Sequence, residues 1–274
     1  MQFVVANGAR LPSLGFGTYG MRGNALSDII SAALHAGFRH IDTAQVYANE
    51  ADVGRGIAQS GVPRDDIFIT TKVWVPNCAP RLMALSVDES LRKLGTDHVD
   101  LLLLHWPNRA IPLEYQIGAL NDVVRSGKAK HIGVSNYNRA LLGDAVLASD
   151  EPLVTNQFEY HPYLDQRALV SATRGAGLAV TAYCAMAVGR VFTDPRLAEI
   201  AVRNGRTVSQ VVLRWLVQQG GVVVLSRTSN PDRLSENTAI DDFELPAEDM
   251  AAIFSLTEPG SRIVDPEGLA PVWD

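Results

Sequence analysis

Cysteine is scarce in this chain: Cys78 and Cys184 are the only two in 274 residues, too few for a disulfide framework and consistent with a reduced, cytoplasmic protein. Long apolar runs are missing as well. No stretch approaches the roughly 18–20 residues that a bilayer crossing needs, so no membrane association is expected. The opening Met-Gln-Phe-Val-Val-Ala-Asn-Gly-Ala-Arg lacks a basic segment followed by an apolar one, and it has no small-residue cleavage site, so secretion is not indicated. There is no surplus of basic residues: 24 Lys and Arg stand against 30 Asp and Glu, for a net charge of −6. Phosphate backbones require concentrated Lys and Arg, so nucleic acid is not the expected partner and a small molecule is. Low-complexity tracts and linkers rich in Pro, Gly or Ser are absent too.

What remains is an ordinary globular composition, 47% apolar and 20% charged, which sets disordered and fibrous classes aside. The length fits one eight-stranded α/β barrel, and residues 1–274 are read as a single domain. Short β-rich runs alternate with helical patterns, the signature of repeated βα units on a parallel sheet. The runs are Gly15–Tyr19, His40–Ala44, Ile67–Lys72, Val99–His105, His131–Val134, Val154–Glu159, Leu178–Tyr183 and Val222–Leu225. Eight such strands predict a closed (β/α)8 TIM barrel. Leu26, Ile29, Ile30, Ala33 and Leu34 share one helical face ahead of Gly37, and Ala84, Val87, Leu91 and Leu94 share another between Pro80 and Gly95. Thr207 and Gln210 have the spacing of a capping box. Ahead of the barrel, Phe3–Val5, an Asn7-Gly8 turn and Arg10-Leu11 predict a hairpin that plugs the barrel floor.

Active sites of such barrels lie at the C-terminal ends of the strands, and here those ends are polar. They carry Asp42 with Tyr47 in the following loop, Lys72, His105, Ser135 and Asn136, Gln157, and Tyr183. Singly, each has an ordinary explanation: a cap, a snorkelling amine, a surface ring, a satisfied core histidine. Together they are informative, because an amine buried beside a carboxylate is costly unless paired. The set suits carbonyl reduction. Hydride addition creates an alkoxide that needs a proton, and Tyr47 is the candidate general acid. Lys72, held charged by Asp42, is expected to draw the phenol's pKa from about 10 towards neutrality, while His105 orients the substrate oxygen.

The segments LGFGTYG at 14–20, HIDTAQVYANE at 40–50, TTKVW at 70–74, LLLLHWP at 101–107, GVSNYN at 133–138, NQFEYHPYL at 156–164 and NPDRLSEN at 230–237 resemble the aldo-keto reductase family almost end to end. The bacterial members related to diketogluconate reductases are the most similar. The resemblance implies a catalytic tetrad of Asp42, Tyr47, Lys72 and His105, and an NADPH-dependent, metal-free reaction on a small carbonyl substrate. It further implies that Ser135, Asn136 and Gln157 meet the nicotinamide carboxamide and that Tyr183 stacks on the ring. Tyr19, Trp74 and Trp106 match pocket-wall positions, with plain core packing as the alternative. After the last strand, Arg227, Thr228 and Arg233 lie where barrels bind phosphate, and Asn230-Pro231 is expected to open a short helix there. The resemblance assigns these residues to the 2′-phosphate and Asn237 to adenine. Ser226-Arg227-Thr228 stands where the family usually has Pro-Lys-Ser, and Tyr183-Cys184-Ala185-Met186-Ala187 departs from the usual serine, proline and leucine. The tail from Arg262 to Asp274, with Trp273, is a candidate cover for the pocket. A monomer is expected.

Three other readings compete. Gly15-Phe16-Gly17-Thr18-Tyr19-Gly20 fits a dinucleotide-binding fingerprint, but Pro12 interrupts the strand that should precede it, and no tyrosine has a lysine four residues on. A metallohydrolase could use His40, Asp42, His105 and His161, yet none of the histidines forms a short-spaced pair and Lys72 would repel a divalent ion. A non-catalytic NADPH-binding, redox-sensing barrel subunit is the third, and the complete tetrad argues against it.

Overall fold

The Asn7-Gly8 pair makes the first turn, with Asn7 and Gly8 both at positive φ (43° and 84°), as a two-residue hairpin turn requires. It joins β1 (Phe3–Ala6) to β2 (Ala9–Pro12), which pair antiparallel in the register Phe3 with Pro12. The computed structural model describes residues 2–274. Val4, Ala6, Ala9 and Leu11 of the hairpin pack on Leu101, Leu103, Val154, Ala179 and Val223, and the Asn7 amide donates to the Leu153 carbonyl at 2.7 Å. Leu153 and Ala179 begin their strands, so the hairpin closes the N-terminal end of the barrel, the plug expected from the sequence.

From β3 (Leu14–Gly17) the chain alternates: α1 (Gly23–His35), β4 (His40–Asp42), α2 (Glu50–Ser60), β5 (Phe68–Val73), α3 (Pro80–Leu94), β6 (Val99–Leu104) and α4 (Leu113–Arg125). There follow β7 (Ala129–Ser135), α5 (Arg139–Ala148), β8 (Leu153–Glu159), α6 (Arg167–Gly175), β9 (Ala179–Tyr183), α7 (Pro195–Arg203), α8 (Val208–Gln218), β10 (Val222–Ser226), α9 (Asp232–Thr238) and α10 (Ala247–Phe254). The eight strands β3 to β10 are parallel and form a closed barrel, β10 pairing with both β9 and β3. Among the described residues no helix is long and apolar enough to cross a membrane.

Alternation along the strands separates two cores. On β6, Leu101 and Leu103 face the hairpin, whereas Leu102 and Leu104 join the outer layer with Ile41, Ile69, Leu26, Ile30 and Val87. Every expected strand is present with ends shifted by at most two residues. The first stops at Gly17 because the next residue turns away: the backbone N–H and the hydroxyl of Thr18 both donate to the Asp42 carbonyl, at 3.1 and 3.0 Å. The capping box of α8 is complete, with Thr207 and Gln210 each bonding the other's backbone N–H. Gly15 lies within β3, where a Cβ would come within 2.7 Å of Leu225 and 2.9 Å of His40. Its lack of a side chain serves barrel closure, which accounts for the first of the fingerprint-like glycines without a dinucleotide loop.

Gly133 of β7 is tighter still, since a Cβ there would stand 2.6 Å from the Thr155 carbonyl oxygen of the neighbouring strand. Gly133→Ala is expected to destabilise the fold by about 1–3 kcal/mol, because a backbone carbonyl cannot swing aside as a side-chain tip can. Urea denaturation measures this; an unchanged midpoint would contradict the packing.

Candidate active site

At the C-terminal end of the barrel, Asp42 ends β4 and Lys72 sits one residue before the end of β5, both pointing into the interior and both buried. The Lys72 Nζ donates to Asp42 Oδ1 at 2.5 Å and to the Thr43 carbonyl at 2.9 Å. Asp42 Oδ2 accepts from Gln157 Nε2 on β8 at 2.9 Å, so the pair is held from across the barrel. Burial pulls the Lys72 pKa down, and the Asp42 carboxylate opposes the fall.

Tyr47 ends a single 3₁₀ turn, Gln45–Tyr47, and is half-buried. The turn is fastened through Gln45, whose Oε1 accepts from the Trp74 N–H and the Asn77 amide, both at 2.9 Å. Asn49 secures the other side, accepting from Thr43 at 2.7 Å and donating to the Thr18 and Met21 carbonyls at 3.0 Å. The Tyr47 ring meets Tyr19 and His105 edge-on, with centroids 5.1 and 5.6 Å away, and its centroid lies 5.3 Å from the Lys72 Nζ. Trp74 packs edge-on against His105 at 5.4 Å. Tyr19 is mostly exposed, Trp74 half-exposed and Trp106 buried beside His105, so these three differ in access.

The electrostatics correct one expectation. Tyr47 is not drawn towards neutrality; burial, and then the negative charge of Asp42, push its pKa well above that of a free phenol. The physical reason is that Lys72 is neutralised by its own contact with Asp42, so its field at the phenol is largely cancelled. Tyr47 is therefore a neutral O–H donor across the physiological range. His105 is displaced the other way, its pKa well below 6.5 through burial and the nearby Lys72, and is a neutral imidazole.

Ser135, Asn136, Gln157 and Tyr183 form one bonded group. The Tyr183 hydroxyl donates to Asn136 Oδ1 at 2.7 Å, Asn136 Nδ2 donates to the His105 carbonyl at 2.9 Å, and the Ser135 hydroxyl donates to the Gln157 carbonyl at 2.9 Å. Asn136 takes a left-handed φ of 64°, a conformation asparagine tolerates better than most residues. Beyond β10 the expected phosphate cluster spreads out. Arg227 is exposed and reaches towards Gly20, whereas Arg233, also exposed, lies 6.0 Å from the Phe192 ring. Thr228 closes a turn with Asn230, and the Asn230 side chain accepts from the Asp232 N–H at 3.0 Å. The helix begins at Asp232, two residues later than the asparagine expected to cap it. Asn237 is buried, donating to the Ser226 hydroxyl at 3.0 Å, while its Oδ1 has no partner.

Sequence reasoning missed Glu159, at the end of β8. It is fully buried, and its oxygens accept from His161 Nε2 at 2.9 Å and from the backbone N–H groups of Ile263 and Val264 at 2.7 and 2.8 Å. The tail continues past Arg109, which donates to the Ala270 carbonyl, and Asn138, which donates to that of Val272, both at 2.8 Å. It thus straps the same end of the barrel that carries Asp42 and Lys72. The signal was available, for a carboxylate at a strand's C-terminal end is the argument already applied to Asp42.

The sequence profile described as the Aldo/keto reductase family matches residues 13–258. This chain belongs to the aldo/keto reductase family. Among its aldo/keto reductase relatives, the methylglyoxal reductase DkgB of Salmonella typhi is 40% identical over 267 residues, which cover 96% of this chain and 99% of that protein. An aldo-keto reductase of Mycolicibacterium smegmatis is 40% identical over 253 residues, 92% of this chain and 89% of the relative. A crystal structure provisionally assigned as a 2,5-diketo-D-gluconic acid reductase B is 55% identical, covers all of this chain and 98% of that one, and superposes with a TM-score of 0.98.

The Asp42–Lys72 pair gives a stability test. Lys72→Met leaves a buried carboxylate without its cation and is expected to cost about 3–5 kcal/mol. Adding Asp42→Asn to that variant should restore much of the loss, since both charges are then gone. A double variant no more stable than the single one in urea would show that the pairing does not govern stability here.

Proposed function

We propose that this aldo/keto reductase converts aldehydes or ketones to alcohols with NADPH, and that Tyr47 supplies the proton. The observation that carries the reading is the Tyr47 phenol, the His105 imidazole and the buried Lys72 ammonium paired with Asp42, brought together at one barrel mouth. When bound, the dihydronicotinamide would supply a hydride to the carbonyl carbon. In this reading His105 hydrogen-bonds the carbonyl oxygen without adding a charge, and Tyr47 gives that oxygen its proton as negative charge develops. Asp42 keeps the Lys72 ammonium charged and fixed beside the Tyr47 ring. Tyr19, Trp74 and Trp106 would wall the substrate.

The residues fit the cofactor. Asn237 Oδ1 is a buried acceptor without a donor, suited to the amino group of adenine. Ser135, Asn136 and Gln157 would hold the carboxamide, and Tyr183 would cover the ring. Arg227 and Arg233, with Thr228, offer two unburied guanidinium groups to the 2′-phosphate that distinguishes NADPH from NADH. The relatives named for methylglyoxal and 2,5-diketo-D-gluconic acid point to dicarbonyl compounds as the first substrates to assay.

Tyr47→Phe should lower kcat by about a hundred- to ten-thousand-fold while the Kd for NADPH stays nearly unchanged, because one proton and little surface are lost. Near-normal reduction of a reactive aldehyde by this variant would sink the assignment, and a wild-type chain that binds NADPH but turns over no carbonyl would favour the redox-sensing alternative. Arg233→Ala should raise the Kd for NADPH by one to two orders of magnitude, the equivalent of about 1.5–3 kcal/mol for a charge-assisted contact, and barely affect NADH. Fluorescence titration with both cofactors tests this, equal losses counting against a contact to the 2′-phosphate.

A further inference from the structure

Two short turns lie side by side at the barrel mouth, and one side chain joins them. Tyr47 ends the turn Gln45–Tyr47 after β4, while Trp74 leads into a second 3₁₀ turn, Val75–Asn77, after β5. The strands themselves pair in parallel, and just past β4 the Thr43 N–H still donates to the Thr70 carbonyl at 2.9 Å. Beyond that point the Gln45 amide bridges the two loops. Its Oε1 accepts from the Trp74 N–H and from Asn77 Nδ2, both at 2.9 Å, which engages both lone pairs of that oxygen. Its Nε2 donates to the buried Ser90 hydroxyl of α3 at 3.2 Å, so the amide is also fixed from the helix behind it.

The bridge closes a circuit. Tyr47 meets His105 edge-on at 5.6 Å, His105 meets Trp74 edge-on at 5.4 Å, and Gln45 returns from the Trp74 backbone to the turn that ends at Tyr47. The restraints on the far side of the turn lead elsewhere. Asn49 bonds Thr43, Thr18 and Met21, and the Thr71 hydroxyl, next to Lys72, donates to the buried Glu50 at 2.7 Å. Ser90 also hydrogen-bonds Glu50, so its hydroxyl links the Gln45 amide to that carboxylate. Gln45 is thus the member of this set that ties the Tyr47 turn to the Trp74 side of the mouth. The tie matters for chemistry because reacting groups must be held closely, and a displacement of about 1 Å can cost on the order of a hundredfold in rate.

We propose that Gln45 is a positioning residue for the proton-transfer step: its amide fixes how far the Tyr47 hydroxyl stands from a carbonyl oxygen held at His105. The proposal rests on the reductase reading above, and it gives Gln45 no contact with substrate or cofactor. Loss of the bridge leaves Tyr47 with its proton but lets its turn move relative to Trp74 and His105.

The test is the rate of NADPH oxidation in a single turnover, with enzyme in excess over NADPH and 4-nitrobenzaldehyde saturating. Gln45→Met keeps an unbranched side chain of similar length and removes the bonds to Trp74, Asn77 and Ser90. Its rate should fall about tenfold or more, while the KM for the aldehyde and the Kd for NADPH change by less than about threefold. Its solvent deuterium isotope effect should rise above the wild-type value as proton transfer becomes limiting. Asn77→Ala removes one of the two donors to Gln45 Oε1 at a half-buried loop position. It should slow the turnover by about two- to fivefold, with the isotope effect rising likewise, and it decides the matter if Gln45→Met does not fold. An unchanged isotope effect overturns the proposal, whether the rate falls or only the amplitude does, as a purely structural role would give. A loss confined to KM overturns it too. If the wild-type protein oxidises no NADPH with this aldehyde or with methylglyoxal, the reductase reading falls and this inference with it; wild-type turnover with both variants unaffected defeats the inference alone.

Discussion

Burying an ammonium group at the heart of a barrel is the constraint on which the rest of this site depends. Lys72 cannot reach water, so the protein must supply what water would have given: a carboxylate at 2.5 Å and a backbone carbonyl at 2.9 Å. Once Asp42 is committed in this way, its second oxygen takes the Gln157 amide, and a strand on the opposite side of the barrel is drawn into the same arrangement. The protonation states around it follow. Burial, and then the nearby Lys72, keep His105 neutral, while burial and the carboxylate keep Tyr47 protonated. The site therefore rests with a proton on the phenol and none to spare on the imidazole, the distribution that a proton donor and a neutral orienting group require.

The scaffold supports this arrangement by dividing the barrel interior along its axis. Toward the N-terminal end the hairpin fills the space with Val4, Ala6, Ala9 and Leu11 against Leu101, Leu103 and Val223, an apolar plug. At the other end the interior is polar, and Asp42, Lys72, Ser135 and Gln157 are bonded to groups on neighbouring and opposite strands. Gly133 permits β7 and β8 to lie close enough for Ser135 and Asn136 to bond the Gln157 carbonyl. An added side chain at that glycine would disturb the registry that brings Ser135, Asn136 and Gln157 together.

Much of this was legible in the sequence because it depends on local pattern. Alternating β-rich and helical runs located all eight strands, Asn7-Gly8 located the hairpin, and Thr207 with Gln210 located a helix start. The residues at strand ends were found by the same logic, since one barrel geometry sends them all to one mouth. The missed features depend on distances between segments far apart in the chain. Whether Lys72 lowers the Tyr47 pKa turns on how far Asp42 has already cancelled its charge, and no spacing encodes that. The strap joins Glu159 to residues 104 and 105 positions later, so nothing near either partner announces the contact. Arg227 and Arg233 are six residues apart, yet they lean toward Gly20 and Phe192 respectively, because a turn and a helix start lie between them.

Asp42 and Glu159 show how one device yields two outcomes. Each is a buried carboxylate at the C-terminal end of a barrel strand, and each must be compensated by donors brought from elsewhere in the chain. Asp42 is met by an ammonium, so its environment carries charge that its neighbours feel, and the consequence is chemical. Glu159 is met by His161 and by two backbone amides; burial alone would raise its pKa, but these bonds outweigh it and hold the group ionised. Its consequence is architectural, because amides at 263 and 264 can reach it only if the strap crosses the mouth at that height. Glu159 thus fixes which residues of the strap cross the barrel mouth.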